Sequence, residues 1–406
     1  MIRLSYRFGL VIIFILCLIG LVAYARGYRL DLEKKSVQPT GIIAVSAAPR
    51  AANVYVDGLL KGVTDLNLTL SPGHYKIEVK KDGYSSWSKT VTLRGEVVLT
   101  LDVLLFPNNP SLSPLTNLGV TKATAIPNSE KIILFSATGN DEKDGILLFE
   151  PSRSPLSFLP PLKKIILKKD LPESVSFKNT TVEISPDLKQ AIFTFPVGKN
   201  DYFSYFLSLD EELSHPFELT KSKDTLLSAW QEKKQKDTAK ILETFPKEFN
   251  KVASDSFHII AFSPDETKVL YEPLEKITLA FVPDRALIGS NQTRENRSLE
   301  LNRLYVYDKK EDKNFWLTTD QNWMKKFRRG INTIYWHSDS KHLVMNEDKK
   351  ITVVDYDGEN KQTLYSGPLQ DSFFLPVADG KLVILANLNP ENNPLPDLYV
   401  VGTGIK

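Results

Sequence analysis

The chain has 406 residues, with 51 basic and 49 acidic side chains. That is more than one core's worth of sequence. Residues 1–35 hold six basic and two acidic side chains, leaving 45 against 47 for the rest, which excludes the strong positive field of a nucleic-acid binder. Cys17 is the single cysteine, so no intrachain disulfide framework and no cysteine zinc cage can form.

Phe8 to Ala25 is a run of 18 uncharged residues, which reaches the lower bound of roughly 17 to 25 for a spanning helix. It predicts a transmembrane helix or signal anchor over 8–25, a short cytoplasmic tail over 1–7 and a juxtamembrane linker over 26–40. Ala23 and Ala25 match the small-residue spacing of a signal-peptidase site, so a cleaved leader competes with the anchor. Arg26, Arg29, Lys34 and Lys35 follow the run and Arg3 and Arg7 precede it. That local bias favours a cytoplasmic C-terminal side, although long domains translocate largely regardless of flanking charge.

From residue 41 to 106 the period changes to two. Val54 and Val56 alternate with polar neighbours, as do Ile77 and Val79, and Val91, Leu93, Val97, Leu99, Leu101 and Val103 continue the pattern to Phe106. Asp57-Gly58 and Pro72-Gly73 supply turn chemistry, and Pro107 to Pro110 reads as a linker within 107–111. Five to seven short strands with these turns make one small module. Val45-Ser46, Pro49, Val54-Tyr55-Val56-Asp57-Gly58, Gly62-Val63-Thr64, Leu70-Ser71-Pro72-Gly73-His74-Tyr75 and Gly83-Tyr84 resemble the PEGA domain, a small β-sandwich of bacterial and archaeal surface proteins. The likeness departs where the family's Pro-x-Gly-Ala is Pro49-Arg50-Ala51-Ala52 and where Asp65 stands after Thr64 in place of Pro. The resemblance implies an extracytoplasmic location for everything after the helix.

Residues 112–406 carry a degenerate repeat in which a polar turn leads into an apolar strand. Ile184-Ser185-Pro186-Asp187, Phe262-Ser263-Pro264-Asp265 and Trp336-His337-Ser338-Asp339 are the strong copies. Weaker ones are centred on Asn128 and Asp379. The equivalent positions are separated by 59, 78, 74 and 40 residues, and a unit near 40 with several strands is the spacing of a β-propeller. Strands at Leu304 to Asp308, Ile351 to Asp355 and Leu398 to Val401 fall where the third strand of a blade belongs. The pattern resembles the TolB-type and WD-like propellers, and about six blades fit, with five or seven also allowed. The fold class expected is therefore all-β: an N-terminal transmembrane helix, a PEGA-type β-sandwich, then a β-propeller.

Two insertions interrupt the repeat. Over 221–255, Leu226, Leu227, Trp230, Ile241, Leu242, Phe245, Phe249 and Val252 recur at helical spacing, with Pro246 suited to the first turn of a second helix. Residues 283–299 lack an apolar period and predict a mobile polar loop.

The linear motifs of hydrolases, phosphate loops and metalloproteases do not occur in the chain, so no catalytic, cofactor-binding or metal-ligating residue is assigned. The five histidines are scattered. His337 takes the place of a turn serine, for which a structural role is favoured. The acidic stretches around Asp357 and from Asn140 to Gly145 read as solvated turns rather than calcium loops. Trp316, Trp323, Lys325, Lys326, Phe327, Arg328, Arg329 and Trp336 put three tryptophans and four positive charges within 21 residues. Such a patch can hold an anionic cell-envelope glycan or a surface protein by stacking and charge-assisted hydrogen bonds, against the plainer account in which Trp316 and Trp336 are core and the basic run is an exposed loop. The function expected is a non-catalytic, membrane-anchored cell-surface protein whose sandwich acts as spacer or wall-binding module and whose propeller binds a partner. A hydrolase with its site at the central channel and the ectodomain of a sensor complex are the alternatives.

Overall fold

A computed structural model describes residues 2–25, 28–31, 36–151, 162–197, 201–281, 291–317, 325, 333–347, 350–391 and 393–402. The chain divides into two compact units, Met1–Asn108 with Asp284–Arg294, and Asn109–Pro283 with Glu295–Lys406.

The first unit begins with helix α1, Ile2–Ala25. Its large apolar side chains from Leu10 to Val22 are 47–68% exposed. Among the described residues no helix is long and apolar enough to cross a membrane; the side chains of Phe8, Ala23 and Ala25, part of the expected span, lie outside them. The segment expected as a linker holds an antiparallel ribbon of β1 (Tyr28–Asp31) and β2 (Ser36–Pro39).

Next come β3 (Gly41–Ala48), β4 (Asn53–Val56), β5 (Leu59–Val63), β6 (Leu66–Leu70), β7 (Gly73–Lys80), β8 (Trp87–Leu93) and β9 (Val98–Leu104). They form a three-stranded sheet in the order β6-β3-β9 and a four-stranded sheet in the order β5-β4-β7-β8. Asp57 and Gly58 both take positive φ, 50° and 81°, the backbone that a two-residue hairpin requires to match the strand twist. Alternate residues Ile43, Val45, Val54, Val56, Ile77, Val79, Val91, Leu99 and Leu101 are buried in one shared core, while their neighbours in sequence remain accessible. This is a sandwich with one apolar face per sheet.

The second unit opens with β10, Ser111–Pro114. It is followed by β11 (Val120–Ala125), β12 (Ile132–Ser136), β13 (Gly145–Phe149) and β14 (Leu162–Leu167), and then by β15 (Thr181–Ile184), β16 (Gln190–Val197), β17 (Asp201–Ser208) and β18 (Phe217–Glu218). Two helices, α2 (Lys223–Leu242) and α3 (Lys247–Ser256), precede β19 (Phe257–Phe262), β20 (Lys268–Pro273), β21 (Leu304–Asp308) and β22 (Lys313–Leu317). The chain then gives β23 (Ile334–Trp336), β24 (His342–Glu347), β25 (Lys350–Asp355) and β26 (Gln362–Tyr365), and ends with β27 (Phe374–Pro376), β28 (Leu382–Ala386) and β29 (Asp397–Gly402).

Each group of four is a sheet in sequence order, and the last sheet runs β10-β29-β28-β27. β10 pairs antiparallel with β29, Ser111 opposite Gly402, so the first strand of the unit completes its last sheet. The middle strands β12, β13, β20, β21 and β28 are buried along their whole length, because each sheet is covered on both faces. Ile132 and Leu134 share a core with Phe373, Leu375 and Leu385 of the fifth sheet. Ile133 and Phe135 share another with Phe193 and Phe195 of the second. Leu270 and Val306 of the third sheet meet Leu343 and Met345 of the fourth, and Tyr335 meets Phe374 edge-on at 5.1 Å.

Sheets two and three are separated by the helices. Trp230 of α2 lies against Phe206 of β17, and Lys223 of α2 bonds Thr194 at 2.7 Å and Glu183 at 3.6 Å. On the other side Phe249 of α3 stacks on Tyr307 at 3.9 Å. The described residues of the second unit thus form five four-stranded sheets, the lower of the counts that the repeat allows. The long spacings that suggested extra blades are filled by the helical pair between Asp187 and Asp265, and by the segments around 275–299 and 318–332 between Asp265 and Asp339. The polar loop expected over 283–299 is described only from residue 291. Residues 283–290 lie outside the described residues, but Arg297 is tied to Glu295, Asp312 and the Ala280 carbonyl, and Leu299 is buried.

Candidate functional site

The turn between the first and second strands of each large-unit sheet is the repeat seen in the sequence. In all five, the residue opening the turn donates its backbone N–H to the carbonyl of the residue closing it, from Ile126 to Lys131, Ser185 to Gln190, Ser263 to Lys268, His337 to His342 and Val377 to Lys381, over 2.9–3.0 Å. In the second and third sheets the opening serine also donates to the turn carboxylate, Ser185 to Asp187 at 2.6 Å and Ser263 to Asp265 at 2.7 Å. Leu188, Glu266 and Ser340 occupy the same left-handed position. The carboxylate replaces water for turn N–H groups, which is why Asp recurs there.

The closing residue faces the end of the third strand. Lys268 pairs with Asp308 at 3.5 Å, both nearly buried, and Lys131 with Glu150 at 2.9 Å. In the fourth sheet both ends of the motif change. His337 Nδ1 lies 3.1 Å from Asp339 Oδ1, His342 Nδ1 lies 2.6 Å from Asp339 Oδ2, and His342 Nε2 lies 3.2 Å from Asp355 Oδ1. Asp355 is held in turn by Asn360 Nδ2 at 2.9 Å. Both imidazoles are buried, while the Asp339 side chain is 29% exposed. Burial opposes a charge on His342, but hydrogen bonds from its ring to Asp339 and Asp355 outweigh it and push its pKa up to about 9. Burial likewise opposes the Asp339 charge, and the bonds from His337 and His342 hold its carboxyl far below the usual range.

His337, Asp339 and His342 each offer a ligand atom, all within 4.8 Å of one another. Two nitrogens and a carboxylate are a donor set for a borderline transition metal. His337 had been read from sequence as a turn residue. The missed partner was His342, and the signal lay in aligning it with Lys268 and then pairing it through the register, His342 opposite Asp355.

The tryptophan and basic cluster is divided by the fold. Trp336 belongs to the core of sheets three and four, with Nε1 donating to the Ala261 carbonyl, so it is not a surface group. Trp316 is 41% exposed and stacks with Arg303 at 4.5 Å. Lys325 is exposed. Trp323, Lys326, Phe327, Arg328 and Arg329 lie outside the described residues. The stretch around Asp357 is a hairpin turn in which Gly358 donates to the Asp355 carbonyl. Asn140 to Gly145 differs from the solvated turn expected. Asp144 is buried and accepts from Thr138, Gly139 and Asn140, bonds that outweigh its burial and lower its pKa.

Comparison with known proteins adds the following. No curated protein matches the chain. Among solved structures, a TolB-type protein from Agrobacterium tumefaciens is 13% identical, with 70% of this chain and 72% of that chain covered and a TM-score of 0.21. TolB from Acinetobacter baumannii is also 13% identical, over 81% and 60%, with a TM-score of 0.19. An acylaminoacyl peptidase from Pyrococcus horikoshii is 12% identical, over 73% of this chain and 39% of that one, with a TM-score of 0.20. This chain therefore spans less than two thirds of the length of the latter two, and likenesses at these scores carry no argument here. The family model for the PEGA domain matches residues 40–109, the stretch that forms the sandwich of β3 to β9. Residues 40–109 are therefore a PEGA domain, followed in the chain by five four-stranded sheets.

Proposed function

We propose that this is a non-catalytic binding protein held at a membrane, with the PEGA domain as spacer or wall-binding module and the five sheets as blades of a β-propeller that binds a cell-envelope glycan or a surface protein. The observation that carries the reading is the pairing of β10 with β29. Closing the last sheet with the first strand is how a propeller avoids a free end, and a closed ring of blades offers a rigid scaffold for loops that bind. The carboxylates of Asp187, Asp265 and Asp339 are engaged in holding their turns, which suits a scaffold.

The membrane part rests on α1. Its large apolar side chains from Leu10 to Val22 are exposed, and a stretch apolar on every face is matched by lipid rather than by a groove. At about 1.5 Å per residue the 18 uncharged residues Phe8 to Ala25 extend about 27 Å, just short of a hydrocarbon core of about 30 Å. On this reading the large unit lies outside the cell, at the surface location that the PEGA resemblance implies.

The experiment is binding of the detergent-solubilised chain to purified envelope polymer and to surface-protein fractions, beside a variant with Lys325, Lys326, Arg328 and Arg329 all changed to Ser. Binding should fall in the variant and weaken with salt, since screening shortens to about 3 Å at 1 M. Equal binding by the variant at low salt would remove the basic run from the interface, and turnover of glycoside, ester or peptide substrates would replace the binding role by an enzymatic one.

A further inference from the structure

We propose that His337, Asp339 and His342 form a binding site for a divalent transition-metal ion of the Zn2+, Co2+ or Ni2+ type, in the turn between the first two strands of the fourth sheet. The comparison that carries this is internal to the chain. Sheets two and three make the same turn with Ser185 and Ser263 alone, and sheet three closes the same rung with Lys268 on Asp308. Neither imidazole is therefore needed to build the turn. Sheet four nevertheless has both positions replaced together, and both Nδ1 atoms converge on the two oxygens of one carboxylate.

The surroundings match what a bound metal requires. A metal-ligating histidine uses its second nitrogen to donate to a carboxylate that fixes the ring, and His342 Nε2 faces Asp355 at 3.2 Å while Asn360 orients Asp355. Ligands at about 2.0–2.2 Å from a tetrahedral zinc stand about 3.3 Å apart, close to the 3.1 Å between His337 and Asp339. The 2.6 Å pair opens as the ion replaces its shared proton. The partly exposed Asp339 gives the ion a path from solvent. Two nitrogen donors and one carboxylate select against Mg2+ and Ca2+, which take oxygen sets.

The test is titration of the full chain in detergent with Co2+, read by visible absorption, and with Zn2+, read by calorimetry. One ion should bind per chain, with the intense bands of four-coordinate cobalt, and excess Mg2+ or Ca2+ should not displace it. His337→Ser and His342→Lys install the residues that the other sheets use, so the turn stays folded, and each should abolish the cobalt bands while thermal unfolding without metal changes little. Asp355→Asn should weaken binding by about 10–100-fold. Absence of a one-to-one complex in the parent chain, or the same complex in His337→Ser and His342→Lys, overturns the proposal, the latter by locating the ion at another histidine.

Discussion

The PEGA sandwich and the sheets that follow it bury their strands in different ways. In the sandwich the core strands have one apolar face, and alternate residues of β3 are buried and accessible. In the large unit β12 and β28 are buried on both faces, and each sheet shares its core with a neighbouring sheet or with the helices. The sandwich is thus complete within about 65 residues, whereas no sheet of the array is complete without the next. A change that weakens one sheet of the array should be felt by the whole unit, and a change in the sandwich should stop at its own boundary.

The strongest break is Phe193→Ala. Phe193 is fully buried among Phe135, Phe177 and Phe195, at the joint of sheets one and two. Removing its ring should cost about 3–5 kcal/mol. In calorimetry of the full chain the transition of the large unit should move down as one peak while that of the sandwich stays in place; melting of one sheet ahead of the rest would break the comparison. Next is Ile43→Ala in the sandwich core, expected to cost about 2–5 kcal/mol and to move only the sandwich transition.

A smaller effect separates the turns of the array. Asp265 is held at a pKa of about 2, because the hydrogen bonds from Ser263 and Thr267 outweigh the burial that opposes its charge. A depressed carboxylate stabilises the fold above its unfolded value, near 3.8, and that contribution is lost as pH falls through about 2. Its side chain is 41% exposed, so screening reduces the effect, and Asp265→Asn should cost about 1 kcal/mol at pH 7. Denaturant titrations at pH 7 and pH 2 check it: the gap between parent and variant should narrow at the lower pH, and a constant gap would assign the effect to packing. The smallest change is Trp316→Ala, which removes an exposed ring and its contact with Arg303 at about 0.5–1 kcal/mol. Trp336→Ala, at a core position, should cost several times more.

The difference in burial also explains what could be read in advance. Period-two alternation around Val54, Ile77 and Val91 located the sandwich because one face is wet, and the helical spacing of Leu226, Leu227 and Trp230 lies on α2 and that of Phe249 and Val252 on α3. The turn repeat located the sheets, since Asp187, Asp265 and Asp339 do the same hydrogen-bonding work in each. The number of sheets was not legible. Strands buried on both faces carry no alternation, and insertions of 30 or so residues imitate a missing unit. The meeting of His342 with Asp355 was hidden for a related reason, since it depends on the register of β24 against β25 rather than on spacing along the chain. Trp316 and Trp336 look alike in sequence, and only the pairing of their strands puts one ring in solvent and the other in the core.

The account turns on the first strand of the large unit completing its last sheet. Ser113 on β10 lies opposite Val400 on β29, and cross-strand neighbours at about 4.5–5.5 Å fall within the Cα separation of about 4.4–6.8 Å that a disulfide spans. Cysteines placed at 113 and 400 in the full chain, with Cys17→Ser to remove the native thiol, should link within the molecule under mild oxidation, and peptide mapping should recover the 113–400 pair. Thiols that stay free in the folded protein, or that link only between molecules, would contradict closure of the array.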